Sequence, residues 1–341
     1  MSIKTRNKLL GLFARIAISI IILSVLFTRI DFHEIKNSLI NTNHTVLIIG
    51  VIIYTLSQVL NAYKWKLIAN NAGFKNKLKE YIDYYFVGLF FNLFLPTTVG
   101  GDISKAYYLS KHEVQKRKAP AIYSVLAERY SGVVIIVWIG TLVLFTPLAS
   151  RVPAIFKILM SALTILIFIV TPLFPTFWMQ YFKRKKWVRT MLRDIRAYWS
   201  NPKLVVKAIY WSVLYHMLVL SIHMLIGSAM GISVPVGYYI MAYSMAAMAG
   251  FLPVAFNGIG PREWAYIYFL SFAGVKESDA LIFSIFWFGI ILSSSIFGAI
   301  FYLKGQLLPA PTEFDNDSDI EIEEEDITET ETGVNEIEPA V

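Results

Sequence analysis

The chain has 341 residues, of which 56% are hydrophobic and only 16% charged, against about 25% charged in a soluble domain; its mean hydropathy is +0.56. That composition excludes a soluble globular enzyme and describes an all-α polytopic membrane protein, while the absence of Cys excludes disulfides, thiolate metal sites and a catalytic thiol. The formal net charge of +7 hides an asymmetry: residues 313–341 hold 13 of the 24 acidic residues and no Lys or Arg, which leaves a membrane body with 31 basic residues against 11 acidic. Such a body suits anionic lipid headgroups at a cytoplasmic face; no nucleic-acid partner and no cofactor are expected.

Residues 1–15 are basic and lead into a first apolar span at 9–27, read as an uncleaved helix because no small-residue cleavage site follows it. A mixed-charge loop at 29–43 precedes a second span at 46–69. It closes on Tyr63-Lys64-Trp65-Lys66, read as an interfacial aromatic with snorkelling lysines. Next comes Asn92-Leu-Phe-Leu-Pro-Thr-Thr-Val-Gly-Gly-Asp-Ile-Ser-Lys105, apolar on both sides and broken by Pro96, Gly100 and Gly101. The apolar run before the break is about 22 Å long as a helix, and the run after it is shorter, whereas a bilayer core takes about 20 apolar residues to cross. The spacing predicts a re-entrant hairpin, with irregular backbone tolerated only where protein or water surrounds it. A span at 119–145 carries Glu128-Arg129 near its middle, and another follows at 155–174. Residues 183–207 form the most basic loop. A span at 205–230 contains His216 and His223, which share a helix face and read as packing or interhelical hydrogen-bonding residues. Residues 236–275 hold a second hairpin, and 280–303 form the last span. The acidic tail at 312–341 is expected to be disordered.

The second hairpin echoes the first. Phe94-Leu95-Pro96, the Gly pair, Lys105 and Ala106-Tyr107 reappear as Phe251-Leu252-Pro253, Gly258/Gly260, Arg262 and Ala265-Tyr266. The Lys/Arg bias of the loops puts every basic segment on one side only if both hairpins return to their side of origin. Each half (about 9–146 and 153–304, within a domain of 1–311) then has three crossings and one re-entrant hairpin, in opposite orientations. That is an inverted repeat, with a substrate site expected near midplane. Ten crossings, with each hairpin counted as two thin spanning helices, gives the same loop sides. Both termini are expected in the cytoplasm, in a multi-pass protein of the cell membrane.

Charged residues inside spans are costly and mark candidate sites. Asn92, Gly100, Gly101, Asp102 and Lys105 surround the first tip, where backbone N–H groups opening a helix can receive an anion. Glu128 and Arg129 lie within a span. Gly258 and Gly260 permit close backbone approach beside Arg262 and Glu263. Neighbours on a helix diverge by about 100°, so Glu128/Arg129 and Arg262/Glu263 do not pair with each other. One reading gathers Lys105, Arg129 and Arg262 around a phosphate, with Asp102, Glu128 and Glu263 orienting them or relaying protons, since the Arg fork donates two parallel bonds. The bland reading is an ion network that locks the hairpins, with Asp102 capping its helix. The chain contains no Gly-x-x-x-x-Gly-Lys-Ser/Thr loop, so direct use of ATP is not expected, and no His-Glu-x-x-His metal motif.

Asn92-Leu-Phe-Leu-Pro with Gly100-Gly-Asp102, Glu128-Arg129 with Gly132, and Gly258-Ile-Gly-Pro-Arg262-Glu263 together resemble the flippase-like membrane family named for the transmembrane region of lysylphosphatidylglycerol synthase. The resemblance covers about residues 9–303. The chain departs from the family pattern at Lys105 and Lys64, where Arg is usual, and at Trp264, where a small residue is usual. The resemblance implies translocation of a lipid with a charged headgroup, or of a polyprenyl-linked sugar. No soluble aminoacyl-transfer stretch is present to support synthase activity. Two other classes stay open: an integral-membrane lipid-modifying enzyme, although no catalytic motif is seen, and a membrane subunit whose acidic tail binds a basic protein partner.

Overall fold

The computed structural model describes residues 17, 20–21, 24, 32–94, 100–111, 118–181, 186–251, 255 and 258–303. Most of the expected first span, the tips at Pro96 and Pro253 and the acidic tail lie outside the described residues. Eleven α-helices and no strand occur among the described residues. In chain order they are α1 (Phe32–Asn41), α2 (His44–Asn71), α3 (Leu78–Phe94), α4 (Gly100–Lys111), α5 (Lys118–Leu144), α6 (Ala154–Tyr181), α7 (Lys186–Trp199), α8 (Pro202–Ala229), α9 (Val236–Phe251), α10 (Pro261–Ser271) and α11 (Glu277–Leu303).

Among the described residues, four helices are long and apolar enough to cross a membrane: α2, α5, α8 and α11 over Glu277–Tyr302. Each lies in a segment expected to span. Outward side chains such as Ile48, Ile52, Leu142 and Phe168 are more than half exposed, as suits surfaces that meet hydrocarbon. The start points are chemical. Asn43 Oδ1 accepts from the N–H groups of Thr45 and Val46 to cap α2. Asn201 Oδ1 accepts from Leu204 N–H to cap α8, whose first residue is Pro202.

The four helices flanking the two breaks are shorter: 17 and 12 residues for α3 and α4, 16 and 11 for α9 and α10. At about 1.5 Å per residue none reaches the roughly 30 Å of a hydrocarbon core. Each pair folds back on itself, and the cross-packing is reciprocal: α3 lies against α11, and α9 lies against α5. Both contacts use a small residue. A Cβ on Gly298 of α11 would sit 2.1 Å from the Phe86 carbonyl oxygen on α3, and one on Gly140 of α5 would sit 2.6 Å from Ser244 Cβ on α9.

Two hydrophobic clusters divide the three shared helices α2, α5 and α8. One gathers Ala62 to Ala69 of α2, Ala121 to Ala127 of α5 and Leu204 to Ala208 of α8 around α3 and α4. The other takes the opposite halves, with Tyr54, Ile136 to Leu144 and Val219 to Ile226, around α9 to α11. The short pairs therefore sit at opposite ends of the same three helices, and a polar layer separates them.

Two expected loops are helical. Within 29–43 the chain forms α1, and within 183–207 it forms α7, with α8 beginning at Pro202 rather than near 205. In α7, Leu192 and Tyr198 are buried while Arg193 and Arg196 are exposed. Charge density suggested a loop, but apolar residues at 192, 195 and 198 recur at the helical period, so the basic segment lies on the bundle as an amphipathic helix.

Candidate functional site

The first break works through close approach. Gly101 N–H donates to Asn92 Oδ1 at 2.8 Å, and a Cβ on Gly101 would fall 2.0 Å from the Gly88 carbonyl oxygen. Only glycine lets α4 start that close to α3. The Gly101 N–H is thus committed to Asn92 rather than offered to an anion. Gly100, Gly101 and Asn92 act by placing α4, whose next turn presents Asp102 and Lys105 to α5.

Those two side chains join an alternating ladder of charge. Lys64 Nζ lies 3.1 Å from Glu128 Oε1, and Lys105 Nζ lies 3.4 Å from Glu128 Oε2. Lys105 also forms an ion pair with Asp102 Oδ1 at 3.0 Å, and Arg129 Nε forms one with Asp102 Oδ2 at 2.7 Å. Lys64, Asp102, Lys105 and Glu128 are all at most 5% exposed. Arg129 is less enclosed, with its side chain 30% exposed. The Lys105 ammonium stands 4.4 Å from the Tyr85 ring centroid, a further cation–π stabilisation. Lys64 donates to Ser212 Oγ at 3.1 Å, and Ser212 donates to Ser131 at 3.2 Å, which ties α2, α8 and α5 into the same layer. Asp102 pairs with cations instead of capping its own helix.

The second break repeats the backbone device with different wiring. Gly258 has φ +72° and packs on the Gly250 backbone, where a Cβ would lie 2.8 Å from Gly250 Cα. Glu263 turns back and accepts from Gly260 N–H at 2.5 Å, capping α10. Through that bond it shapes the turn that opens α10. Arg262 points the other way, with its guanidinium 5.9 Å from the Phe288 ring.

Between the two pairs lies a cavity of about 320 Å³, lined among others by Asn92, Asp102, Lys105, Glu128, Arg129 and Arg262. Lys105, Arg129 and Arg262, expected to converge, do share this one space. Gly100, Gly101, Gly258, Gly260 and Glu263 stand behind its walls. Lys64 was missed as a site residue: it was read as snorkelling, yet it is 1% exposed and lines the cavity. Tyr54, Gln58 and Asn61 on α2 were also passed over. Their signal was present as polar residues at helical spacing within an otherwise apolar span. The cavity wall thus carries four cations, Lys64, Lys105, Arg129 and Arg262, against two carboxylates, Asp102 and Glu128.

The histidines behave as structural links. His216 bridges Tyr243 OH and the Gly132 carbonyl, both at 2.9 Å. His223 meets Tyr266 OH at 2.7 Å and the Val219 carbonyl at 2.8 Å. No group of three or more His, Cys, Asp or Glu residues able to hold a metal occurs among the described residues.

Fold and site together define a multi-pass helical membrane protein with a cation-rich cavity between two broken helix pairs. The chain belongs to the family described as the lysylphosphatidylglycerol synthase TM region, whose family model matches residues 12–298. It is 33% identical over 113 residues to the UPF0104 membrane protein MJ1595 of Methanocaldococcus jannaschii, a stretch covering 33% of each chain. The match thus spans about a third of that relative's length.

Proposed function

We propose that the chain is a lipid translocase for a phosphate-bearing headgroup and does not hydrolyse ATP itself. The observation that carries this reading is the cavity wall, with four cations against two carboxylates. Buried charge is costly unless paired, and an excess of two positive charges facing one cavity is compensated by an anion entering it. A phosphodiester or phosphomonoester fits that excess, and Lys105, Arg129 and Arg262 are the groups that would hold it. The reciprocal packing of α3 on α11 and of α9 on α5, together with the Asn-capped starts of α2 and α8, supports two halves of inverted topology with re-entrant helix pairs. Rocking one half against the other would expose the cavity to each face in turn. The family membership favours handling of lipids with charged headgroups, and the reading places the chain in the cell membrane.

The test is mass spectrometry of lipids that copurify with the full chain, beside Arg129→Ala and Arg262→Ala. One phosphate-bearing lipid class enriched on the wild type and lost from both variants, at near-normal protein yield, supports the reading. The same bulk lipid in every sample overturns it. A collapse in the yield of both variants would instead assign the arginines to a structural ion network.

A further inference from the structure

The end of the bundle that carries α7 presents a surface of positive charge. Lys75, Lys77 and Lys79 are all exposed at the entry to α3, while Asn76 and Leu78 between them are partly buried. Arg193 and Arg196 of α7 and Lys203 at the start of α8 are exposed as well. Asn201 Nδ2 donates to Asn71 Oδ1 at 3.2 Å. That bond sets the turn between α7 and α8 beside the turn that leads into the three lysines. Two nearby carboxylates are engaged: Glu80 accepts from Lys77 N–H at 2.6 Å, and Asp194 lies 3.8 Å from Arg193. None of these six cations lines the cavity.

The chain itself supplies a matching anion. Residues 313–341 hold 13 acidic residues and no Lys or Arg. Glu313, Asp315, Asp317, Asp319, Glu321 and Glu323 fall at every second position. Alternate residues of an extended segment face one side about 7 Å apart, so this stretch can present six carboxylates along one edge. Lys75, Lys77 and Lys79 follow the same two-residue step. The fold also delivers the tail to the right end. α11 runs alongside α2 in the same direction, with Ile290 packed on Gly50 and Ser294 Oγ 3.1 Å from Thr55 Oγ1. It finishes with Phe301 and Tyr302 against the cluster that holds Tyr198 of α7 and Leu204 of α8. Residues 304–312 then add nine residues, a reach of about 30 Å. A compact chain of about 300 residues has a radius of gyration of about 19 Å, so the acidic strip can reach across that end. A tether of this kind holds the strip at a millimolar effective concentration. Single exposed ion pairs are weak, so the contact needs many pairs at once and fades with salt.

We propose that the acidic tail at 312–341 docks on this basic end of its own chain, with the strip at 313–323 along Lys75, Lys77, Lys79 and the exposed face of α7. Docked there, it closes the surface to anionic lipid headgroups, which the same cations would otherwise attract. The docking stands whether or not the cavity holds a phosphate.

The chain contains no Cys, so a thiol-directed spin label attaches only where a cysteine is introduced. Ser318→Cys, between two carboxylates of the strip, is paired with Ser200→Cys in the exposed turn after α7. The control pairs Ser318→Cys with Ser150→Cys, exposed beside Ala149 of the other cluster at the opposite end. Distances are measured by double electron–electron resonance on the full chain, in phosphatidylcholine nanodiscs and in nanodiscs rich in phosphatidylglycerol. The Ser318→Cys/Ser200→Cys pair should give a short, narrow population in both lipids, and the control pair a long, broad one. The short population should be lost at about 1 M salt, where the Debye length falls from about 10 Å at 0.1 M to about 3 Å. It should also be lost on combining Lys75→Gln, Lys77→Gln, Lys79→Gln, Arg193→Gln, Arg196→Gln and Lys203→Gln, with a melting temperature near that of the wild type. If that variant does not fold, the salt response decides. Broad distances for both pairs overturn the docking, as does a short population that survives high salt. A short population present in phosphatidylcholine and absent in phosphatidylglycerol assigns the surface to anionic lipid and overturns the tail as its occupant.

Discussion

The two broken helix pairs use one backbone device and wire their charges oppositely. In α3/α4, glycine contact at Gly88 and Gly101 puts Asp102 and Lys105 into a ladder with Lys64, Glu128 and Arg129. In α9/α10, glycine contact at Gly250 and Gly258 starts a helix whose own carboxylate, Glu263, is spent on its cap, while Arg262 faces the cavity. The first pair is cross-linked by charge to α2 and α5. The second is held mainly by the apolar cluster around α9 to α11. The contrast teaches that equivalent positions in similar hairpins divide the labour: one side builds the electrostatic frame, and the other presents a cation to it.

Removing the carboxylate that joins the frame should break this contrast most strongly. Glu128→Ala strands Lys64 in a buried layer and leaves Lys105 with Asp102 as its carboxylate, a loss of about 3–5 kcal/mol, read as a collapse in monodisperse yield on size-exclusion chromatography. An unchanged yield would show that the ladder is not a structural frame. Gly101→Ala comes next, because its Cβ would overlap the Gly88 carbonyl. Overpacking of this kind costs about 1–3 kcal/mol or more, and the measurement is a fall in melting temperature in detergent. The counterpart Gly258→Ala meets both a left-handed φ and the Gly250 backbone. The two should destabilise alike if the backbone device is shared, and a tolerated Gly258→Ala would sink that equivalence. Glu263→Ala, which removes the capping oxygen, should cost about 0.5–2 kcal/mol, the range of a helix cap. If Glu263→Ala proves as damaging as Glu128→Ala, then Glu263 belongs to the ion frame and the asymmetry disappears. The smallest effect is expected for Arg193→Ala on α7, whose guanidinium is 71% exposed and 3.8 Å from Asp194. A surface pair contributes about 0–1 kcal/mol, so a melting shift beyond a few degrees would mean that α7 is held by more than its apolar face.

The membrane class, the segments containing the four long spans and the two breaks were legible because they depend on local quantities: apolar run length and the positions of Pro and Gly. Asp102, Lys105, Glu128, Arg129 and Arg262 were legible as cavity candidates because charge is scarce in hydrocarbon and therefore conspicuous. The basic segment at 183–207 was misread because charge density masked its helical period, which becomes decisive once Leu192 and Tyr198 have a bundle to pack against. Lys64 was misread for a related reason. A lysine near the end of a span looks interfacial, and its burial depends on Glu128, supplied by a different helix.

The sequence by itself determined that the protein is a helical membrane protein, where its helices break, and which charges had to be explained. Apolar runs and helix breakers act within a few residues of one another, so a linear reading captures them. Packing in three dimensions settled that α2, α5 and α8 are shared end to end by two clusters, that Lys64 joins the ladder, and that Gly101 N–H is taken by Asn92. Each of these depends on which side chain meets which across helices far apart in the chain. Such meetings follow from packing in three dimensions, where a buried charge or amide is stable only in relation to the partner that the fold brings to it.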